Sequence, residues 1–206
     1  DNRTKNEQRY DTLFENAEIY LQSILDEINN LELVKNSLIL VMSDHGISVG
    51  EKFGERAYGA FCYDYTLRTF VYLLSDEFTA KEITQQIRTV DFMPSILDYL
   101  KITFDDNYEK PDGVSFIPLI HGTSMPEQIA YSETGNPLDK NEPPKEPNTK
   151  SVRTSKWKLI SNQYDGSREL YDLELDPNEE KNLFGKGEKM ESILWEKLHK
   201  LEKVSS

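Results

Sequence analysis

The chain lacks the features that mark several common protein classes. Cys62 is the only cysteine among 206 residues, so no disulfide forms within the chain and a reducing compartment is allowed. No run of 18 or more apolar residues occurs, so we predict no membrane-spanning helix. The chain has 24 Lys and Arg against 37 Asp and Glu, and its net charge of −13 argues against nucleic acid or an anionic membrane as a partner.

The N-terminus also lacks an initiator methionine and a signal peptide. We read Asp1-Asn2-Arg3-Thr4 as an internal point of a longer protein, which leaves localisation open and allows a cytoplasmic one. The length suffices for one domain with a buried core, or for one domain with a small appendage.

The most informative stretch is an apolar run that ends in an acidic residue and a histidine. Leu38 to Met42 are five consecutive apolar residues, which predict a strand buried on both faces at the centre of a parallel sheet. Asp44, His45 and Gly46 follow at the carboxyl end, where α/β sheets bind ligands. A carboxylate beside an imidazole is half of a divalent-metal site. A turn in which His45 only hydrogen-bonds a loop carbonyl is the alternative that the residues alone leave open.

Hydrophobic spacing predicts helices on either side of this strand. Residues 1–9 are polar and we expect them to be frayed, whereas Tyr10 to about Leu31 predicts an amphipathic helix with its apolar face on a sheet. Thr79-Ala-Lys-Glu82 is a capping box, which predicts a short helix to about Ile87. Another helix is predicted around Pro94.

Composition divides the chain into three parts. Residues 1–135 form the main α/β portion, and the proline-rich residues 136–150 are a linker or lid. Residues 151–206 are predicted to form a small α+β subdomain, an antiparallel meander packed by a helix with one apolar stripe. We expect the acidic run from Glu174 to Glu180 to be a solvated turn.

The order of motifs resembles the C-terminal part of the sulfatase family, within the alkaline-phosphatase-like superfamily. The resemblance implies a partial alkaline-phosphatase-like sheet with flanking helices, followed by a small C-terminal antiparallel sheet. The motifs that carry it are Ser43-Asp-His-Gly46, Gly50-Glu51, Gly54-Glu55-Arg56, Leu67-Arg68, Val90-Asp91 with Pro94, Asp112-Gly-Val-Ser115 with Pro118-Leu119, Val152-Arg-Thr154, Lys158-Leu-Ile160, Glu169-Leu-Tyr-Asp-Leu173, Asp176-Pro177 and Asn182-Leu183.

This resemblance implies a metal-dependent hydrolase of sulfate esters. Asp44 and His45 match the positions that bind the divalent ion, with Ca²⁺ expected first and Mg²⁺ or Mn²⁺ as alternatives. The family's nucleophile, a formylglycine made from Cys or Ser in a Cys/Ser-x-Pro-x-Arg motif, is expected upstream and outside this chain. Cys62 is followed by Tyr63-Asp-Tyr-Thr66 and does not match that motif, so we predict a small buried hydrophobe there.

One departure concerns the cation that the family places roughly nine or ten residues before the arginine matching Arg68, to meet the leaving group. Positions 58–60 read Tyr-Gly-Ala, and Lys52 or Arg56 are the candidate catalytic substitutes. A phosphodiesterase or phosphonate monoester hydrolase of the same superfamily, and a non-catalytic sulfatase-like binding module, remain alternatives.

The expected partner is a small sulfate or phosphate ester. Two protein ligands hold a metal poorly, so we expect the chain alone to bind metal weakly or not at all and to be inactive. An open sheet edge also predicts association between chains, as a homo-oligomer.

Overall fold

The computed structural model describes residues 2–52, 54–55, 58–103, 105, 107, 109–135 and 146–203. Spatial contacts divide the chain into two units. The first comprises Asp1–Thr79, Glu133–Lys150 and Ser161–Ser167, and the second comprises Ala80–Ser132, Ser151–Ile160 and Arg168–Ser206. Residues 136–145 of the predicted linker lie outside the described residues, and the sequence-based boundaries at 135 and 151 stay a prediction.

The first unit begins with helix α1, Asn2–Asn30. The predicted fraying of residues 1–9 is wrong for residues 2–9, because the helix already includes them, with Arg3 Nε 2.9 Å from Glu7 Oε1 one turn on. The prediction that the apolar face packs on a sheet is also largely wrong. The residues of that face that are exposed instead are Tyr10, Leu13, Tyr20, Ile24 and Leu31. In the described ranges, no helix is long and apolar enough to cross a membrane.

Strand β1, Ile39–Met42, pairs with strand β2, Val71–Leu74. The pairing is antiparallel, with Ile39 opposite Leu74 and Met42 opposite Val71. The prediction of a parallel strand buried on both faces is therefore wrong, since all four β1 residues are half-buried. The physical reason is that β2 is the strand's only neighbour in the part of the chain described, so the small sheet covers neither face completely. The connection includes a single helical turn, α2, Asp64–Leu67.

The second unit contains helices α3, Phe92–Tyr99, and α4, Ile117–Ile120. The helix around Pro94 is confirmed, but the helix predicted over residues 79–87 is wrong. This segment is irregular because its side chains bond to distant carbonyls instead of supporting a helix. Lys81 Nζ donates to Leu119 O at 2.7 Å, Gln85 Nε2 to Met125 O at 2.9 Å, and Gln86 Nε2 to Gln128 O at 2.8 Å.

A four-stranded antiparallel sheet and the last helix confirm the predicted C-terminal meander. The strands lie in sequence order, and they are β3, Ala130–Thr134; β4, Thr149–Arg153; β5, Trp157–Asn162; and β6, Arg168–Asp172. Helix α5, Lys189–Glu202, packs its apolar stripe on this sheet. The core residues of the second unit are Val152, Leu159, Leu170, Leu194 and Leu198, all almost wholly buried.

The acidic run from Glu174 to Glu180 is mostly exposed, as predicted for a solvated turn, but Glu179 is an exception. Glu179 is buried, with φ 55°, and its Oε1 lies 2.9 Å from Nζ of the buried Lys158. A charge inside a protein requires a partner, and the run supplies one to the core lysine of β5. The prediction fails at this residue because the turn between β6 and α5 directs one of its carboxylates inward.

Candidate metal and ester site

The candidate site begins where β1 ends. Ser43 N–H donates to Phe70 O, and Phe70 N–H donates to Ser43 Oγ, both at 3.2 Å, which fixes the end of the strand against the segment leading into β2. Asp44 and His45 follow directly. The side chain of Asp44 is 87% exposed and that of His45 is 42% exposed, so both are open to solvent.

The two side chains face each other. Asp44 Oδ1 accepts the His45 N–H at 2.8 Å, and Asp44 Oδ2 lies 3.5 Å from His45 Nε2. The other ring nitrogen, Nδ1, lies 2.7 Å from Gly46 O. A carbonyl oxygen only accepts hydrogen bonds, so Nδ1 carries the hydrogen, and the neutral imidazole has its lone pair on Nε2. The hydrogen bond from His45 to a loop carbonyl, which was the alternative interpretation of the sequence, is therefore present. It leaves Nε2 available as a ligand.

The donor geometry fits a divalent cation. Two ligands each about 2.4 Å from one ion, at a right angle, lie about 3.4 Å apart. Nε2 and Oδ2 are 3.5 Å apart. A ring N–H donated to a carbonyl is also the usual way in which a metal-binding histidine is oriented. Among the residues that the structure describes, no group of three or more His, Cys, Asp and Glu side chains is arranged to hold a metal ion.

Gly46 lets the next loop approach the pair. Its N–H donates to Thr66 O at 2.8 Å, and a Cβ on Gly46 would lie 2.1 Å from Tyr65 O. No side chain fits there without moving the backbone. The glycine therefore holds the loop that follows β1 against the turn that carries Asp44 and His45.

Two glutamates from the motifs that carry the resemblance fix the shape of the loop that follows β1. Glu51 Oε2 accepts the Ser48 hydroxyl at 2.9 Å and the backbone N–H groups of Val49 and Gly50 at 2.9 and 3.1 Å. Glu55 accepts the Ala60 N–H at 2.5 Å and the Tyr65 hydroxyl at 2.9 Å. Both carboxylates accept hydrogen bonds from the loop itself, so their role here is to fix its shape.

Of the two predicted catalytic residues, the structure describes only Lys52. Lys52 Nζ lies 4.9 Å from the centroid of the Tyr63 ring, a cation–π contact, and Arg56 lies outside the described residues. Cys62 is buried, as predicted, with Sγ 3.9 Å from Thr149 O. The roles of Lys52 and Arg56 stay predictions.

Sequence reasoning missed Tyr58. Its ring centroid lies 5.9 Å from that of His45, with the planes at 84°. The only signal in the sequence was its place among positions 58–60, where the resemblance implied a cation. A side chain is disfavoured at the next position, because Gly59 has φ 81° and its Cβ would meet the Thr66 side chain at 3.1 Å.

Comparison with known proteins identifies the family. The family model named N-sulphoglucosamine sulphohydrolase, C-terminal, matches residues 59–205, and the Sulfatase model matches residues 1–102. The chain belongs to the sulfatase family. A curated sulfatase, the choline-sulfatase of Rhizobium meliloti (strain 1021), is 24% identical over 164 residues, which are 78% of this chain and 29% of that protein.

Solved structures show that this sulfatase-family chain has the expected fold. BT4656, solved with its substrate D-glucosamine-2-N,6-O-disulfate, is 24% identical with a TM-score of 0.68, over 88% of this chain and 37% of that one. The phosphonate monoester hydrolase of Agrobacterium radiobacter is 18% identical with a TM-score of 0.66, over 90% and 38%. The chain thus spans well under half the length of these relatives. The alkaline-phosphatase-like α/β fold predicted from the motifs is confirmed.

Proposed function

We propose that this chain carries part of the metal and ester site of a metal-dependent sulfatase that hydrolyses small sulfate esters. Family membership supports a hydrolase of sulfate esters. The observation that supports the rest is that His45 Nε2 faces Asp44 Oδ2 across 3.5 Å at the end of β1, while the other ring nitrogen lies against Gly46 O. Two such groups repel each other unless a cation or a proton lies between them.

The chemistry explains why these residues suit the reaction. A bound divalent ion would neutralise the ester oxygens and lower the pKa of an attacking hydroxyl. Asp44 would supply charge to hold the ion, while the neutral His45 ligand leaves it electrophilic. Gly46 and the Gly46–Thr66 bond hold both side chains at the site. The nucleophile, expected to be a formylglycine, is assigned to no residue of this chain.

A phosphonate monoester hydrolase is the second candidate. Its support is the fold likeness to the Agrobacterium radiobacter enzyme, whose TM-score nearly equals that of BT4656. The superfamily uses an Asp-His pair for both reactions, so Asp44 and His45 do not separate them. A non-catalytic, sulfatase-derived module is the third candidate, supported by the missing cation at positions 58–60.

A substrate panel separates these candidates. The intact protein that contains these 206 residues is stripped with a chelator, supplied with Ca²⁺, Mg²⁺ or Mn²⁺, and assayed with choline sulfate, methyl glucoside 6-sulfate, methyl sulfate and a phenylphosphonate monoester. Preferential cleavage of the sulfates, restored best by Ca²⁺, is the expected result. Preference for the phosphonate ester supports the second candidate, and cleavage of none supports the third.

Variants of Asp44 and His45 test whether that activity depends on this pair of residues. We expect His45→Ala and Asp44→Asn each to lower the activity by more than the ~10–100-fold that is lost when a residue hydrogen-bonded to a metal ligand is removed. His121→Ala is the matched control, because His121 is an exposed histidine just after α4. Equal activity of His45→Ala and His121→Ala would remove His45 from the site.

A further inference from the structure

Tyr58 is an exposed aromatic residue in contact with a proposed metal ligand. It is 76% exposed, and its ring stands 5.9 Å from the His45 imidazole, centroid to centroid. Single exposed aromatic residues are ordinary on protein surfaces. This one borders the imidazole whose Nε2 faces Asp44. An ester held by Asp44 and His45 therefore has its organic group within reach of the Tyr58 ring.

The backbone next to Tyr58 is anchored. Gly59 has φ 81° and packs on Thr66, and the Ala60 N–H donates to Glu55. Thr66 O in turn accepts the Gly46 N–H. Thr66 thus joins the turn that carries Tyr58 to the turn that carries His45. The backbone that carries the ring is therefore held close to the turn that carries His45.

The exposed ring of Tyr58 offers an uncharged aromatic surface beside His45. Aromatic faces carry a negative quadrupole, and they attract C–H groups with partial positive charge. The methyl groups of a quaternary ammonium and the C–H face of a pyranose both supply such groups. An anionic organic group finds no cation among Tyr58, Gly59 and Ala60.

We propose that Tyr58 is a specificity-determining residue that binds the organic part of the ester through its C–H groups. The substrate class is then a sulfate ester whose organic part presents C–H groups to the ring. This inference rests on the proposed function, because it takes the ester to be held at Asp44 and His45.

The test compares Tyr58→Ala with Tyr58→Phe, which keeps the ring. Steady-state kinetics of the intact protein use choline sulfate, methyl glucoside 6-sulfate and methyl sulfate, whose single carbon is too short to span to the ring. We expect Tyr58→Ala to raise KM about two- to fivefold for at least one of the two larger esters, with kcat unchanged. Tyr58→Phe should keep the wild-type KM, and methyl sulfate should be affected by neither variant. The ester that responds identifies whether the C–H groups come from an ammonium or from a sugar.

A second measurement excludes an effect through His45. The shift in melting temperature on adding Ca²⁺ should be the same in wild type and Tyr58→Ala. The inference is overturned if the shift is smaller in Tyr58→Ala, if KM rises equally for all three esters, or if KM changes for none of them. The proposed function stands in each of these cases. If the wild type cleaves no sulfate ester, the proposed function fails and this inference fails with it.

Discussion

Lys158 and Glu179 form an ion pair in the interior of the second unit, with Nζ 2.9 Å from Oε1 and both side chains at most 1% exposed. Glu179 adopts φ 55°, a conformation that costs a non-glycine residue roughly 1–2 kcal/mol. The residue is held there by its position in the turn and by the buried lysine. Charges removed from water are stable only as a pair, so neither residue is dispensable while the other remains.

A double-mutant cycle tests this dependence. We expect Lys158→Met and Glu179→Leu each to lower the free energy of unfolding by about 3–5 kcal/mol, because each leaves one buried charge unpaired. The double variant should lose much less than the sum. Urea unfolding followed by the fluorescence of Trp157 and Trp195 measures all four states.

Lys156→Met is the control for that cycle. Lys156 is a neighbouring lysine of the same sheet region whose side chain is 40% exposed, so its removal should lower the free energy of unfolding far less than removal of Lys158. Strictly additive losses for Lys158→Met and Glu179→Leu would contradict the description of the two residues as a coupled buried pair.

Lys156 itself should titrate abnormally. Its hydrogen bond to the Glu174 carboxylate raises the pKa above the ordinary 10.5, with Asp172 adding to the effect. A raised pKa in the folded state means that the ion pair contributes stability below pH 10.5 and loses it as pH rises through the folded pKa. NMR titration of Nζ should show the pKa falling more in Glu174→Gln than in Asp172→Asn, since the Nζ distances are 2.6 and 3.6 Å. The reverse order would show that Asp172 is the principal partner.

Gly46→Ala should damage the candidate site and the fold together. The added Cβ would lie 2.1 Å from Tyr65 O, so the loop must move away from His45. We expect a loss of several kcal/mol in stability, as for other overpacked positions, and loss of metal-dependent activity. Gly122→Ala is the control for the steric contact: Gly122, unlike Gly46, has a positive φ of 82°, but a Cβ there meets nothing within 4 Å, so only backbone strain of about 1 kcal/mol applies. Equal melting temperatures for the two variants would refute the close contact.

The 206-residue chain alone should bind Ca²⁺ weakly or not at all. Asp44 and His45 provide two protein donors, whereas Ca²⁺ takes about six to eight oxygen ligands. Isothermal titration with Ca²⁺, Mg²⁺ and Mn²⁺ measures this directly, and any residual heat should vanish in Asp44→Asn. Micromolar affinity in the isolated chain would show that further ligands lie within it.

Strand β2 should promote association of the isolated chain. Phe70 and Tyr72 are exposed beside an edge strand, a combination that favours pairing between chains. We expect sedimentation velocity over a concentration series to show dimers, and Tyr72→Lys to reduce them. Tyr20→Lys, on the exposed face of α1, is the comparison variant. A greater effect of Tyr20→Lys would move the interface to the helix.

The sequence predicted best where hydrophobic periodicity and packing agree. Leu194 and Leu198 lie one helical turn apart on the stripe of α5, and both are buried against the C-terminal sheet, as expected. The helix over residues 79–87 was wrong because a capping box reports only local preference. Long-range bonds from Gln85 and Gln86 to carbonyls some 40 residues away are not visible in a window of sequence.

The same limit applies to the candidate site. Asp44 and His45 were found because they are adjacent in the chain and follow an apolar run. Tyr58 and Glu179 were missed because their partners, His45 and Lys158, are distant in sequence, and neither belongs to a periodic pattern. The antiparallel direction of β1 was likewise not encoded in its apolar run, which suits either pairing.

The contact between Gly59 and Thr66 limits which residue position 59 can carry. A side chain there would need a left-handed backbone, and its Cβ would lie 3.1 Å from the Thr66 side chain, which would have to give way by a few tenths of an ångström. Glycine therefore suits this point of the turn, and a cation introduced at position 59 would carry both costs.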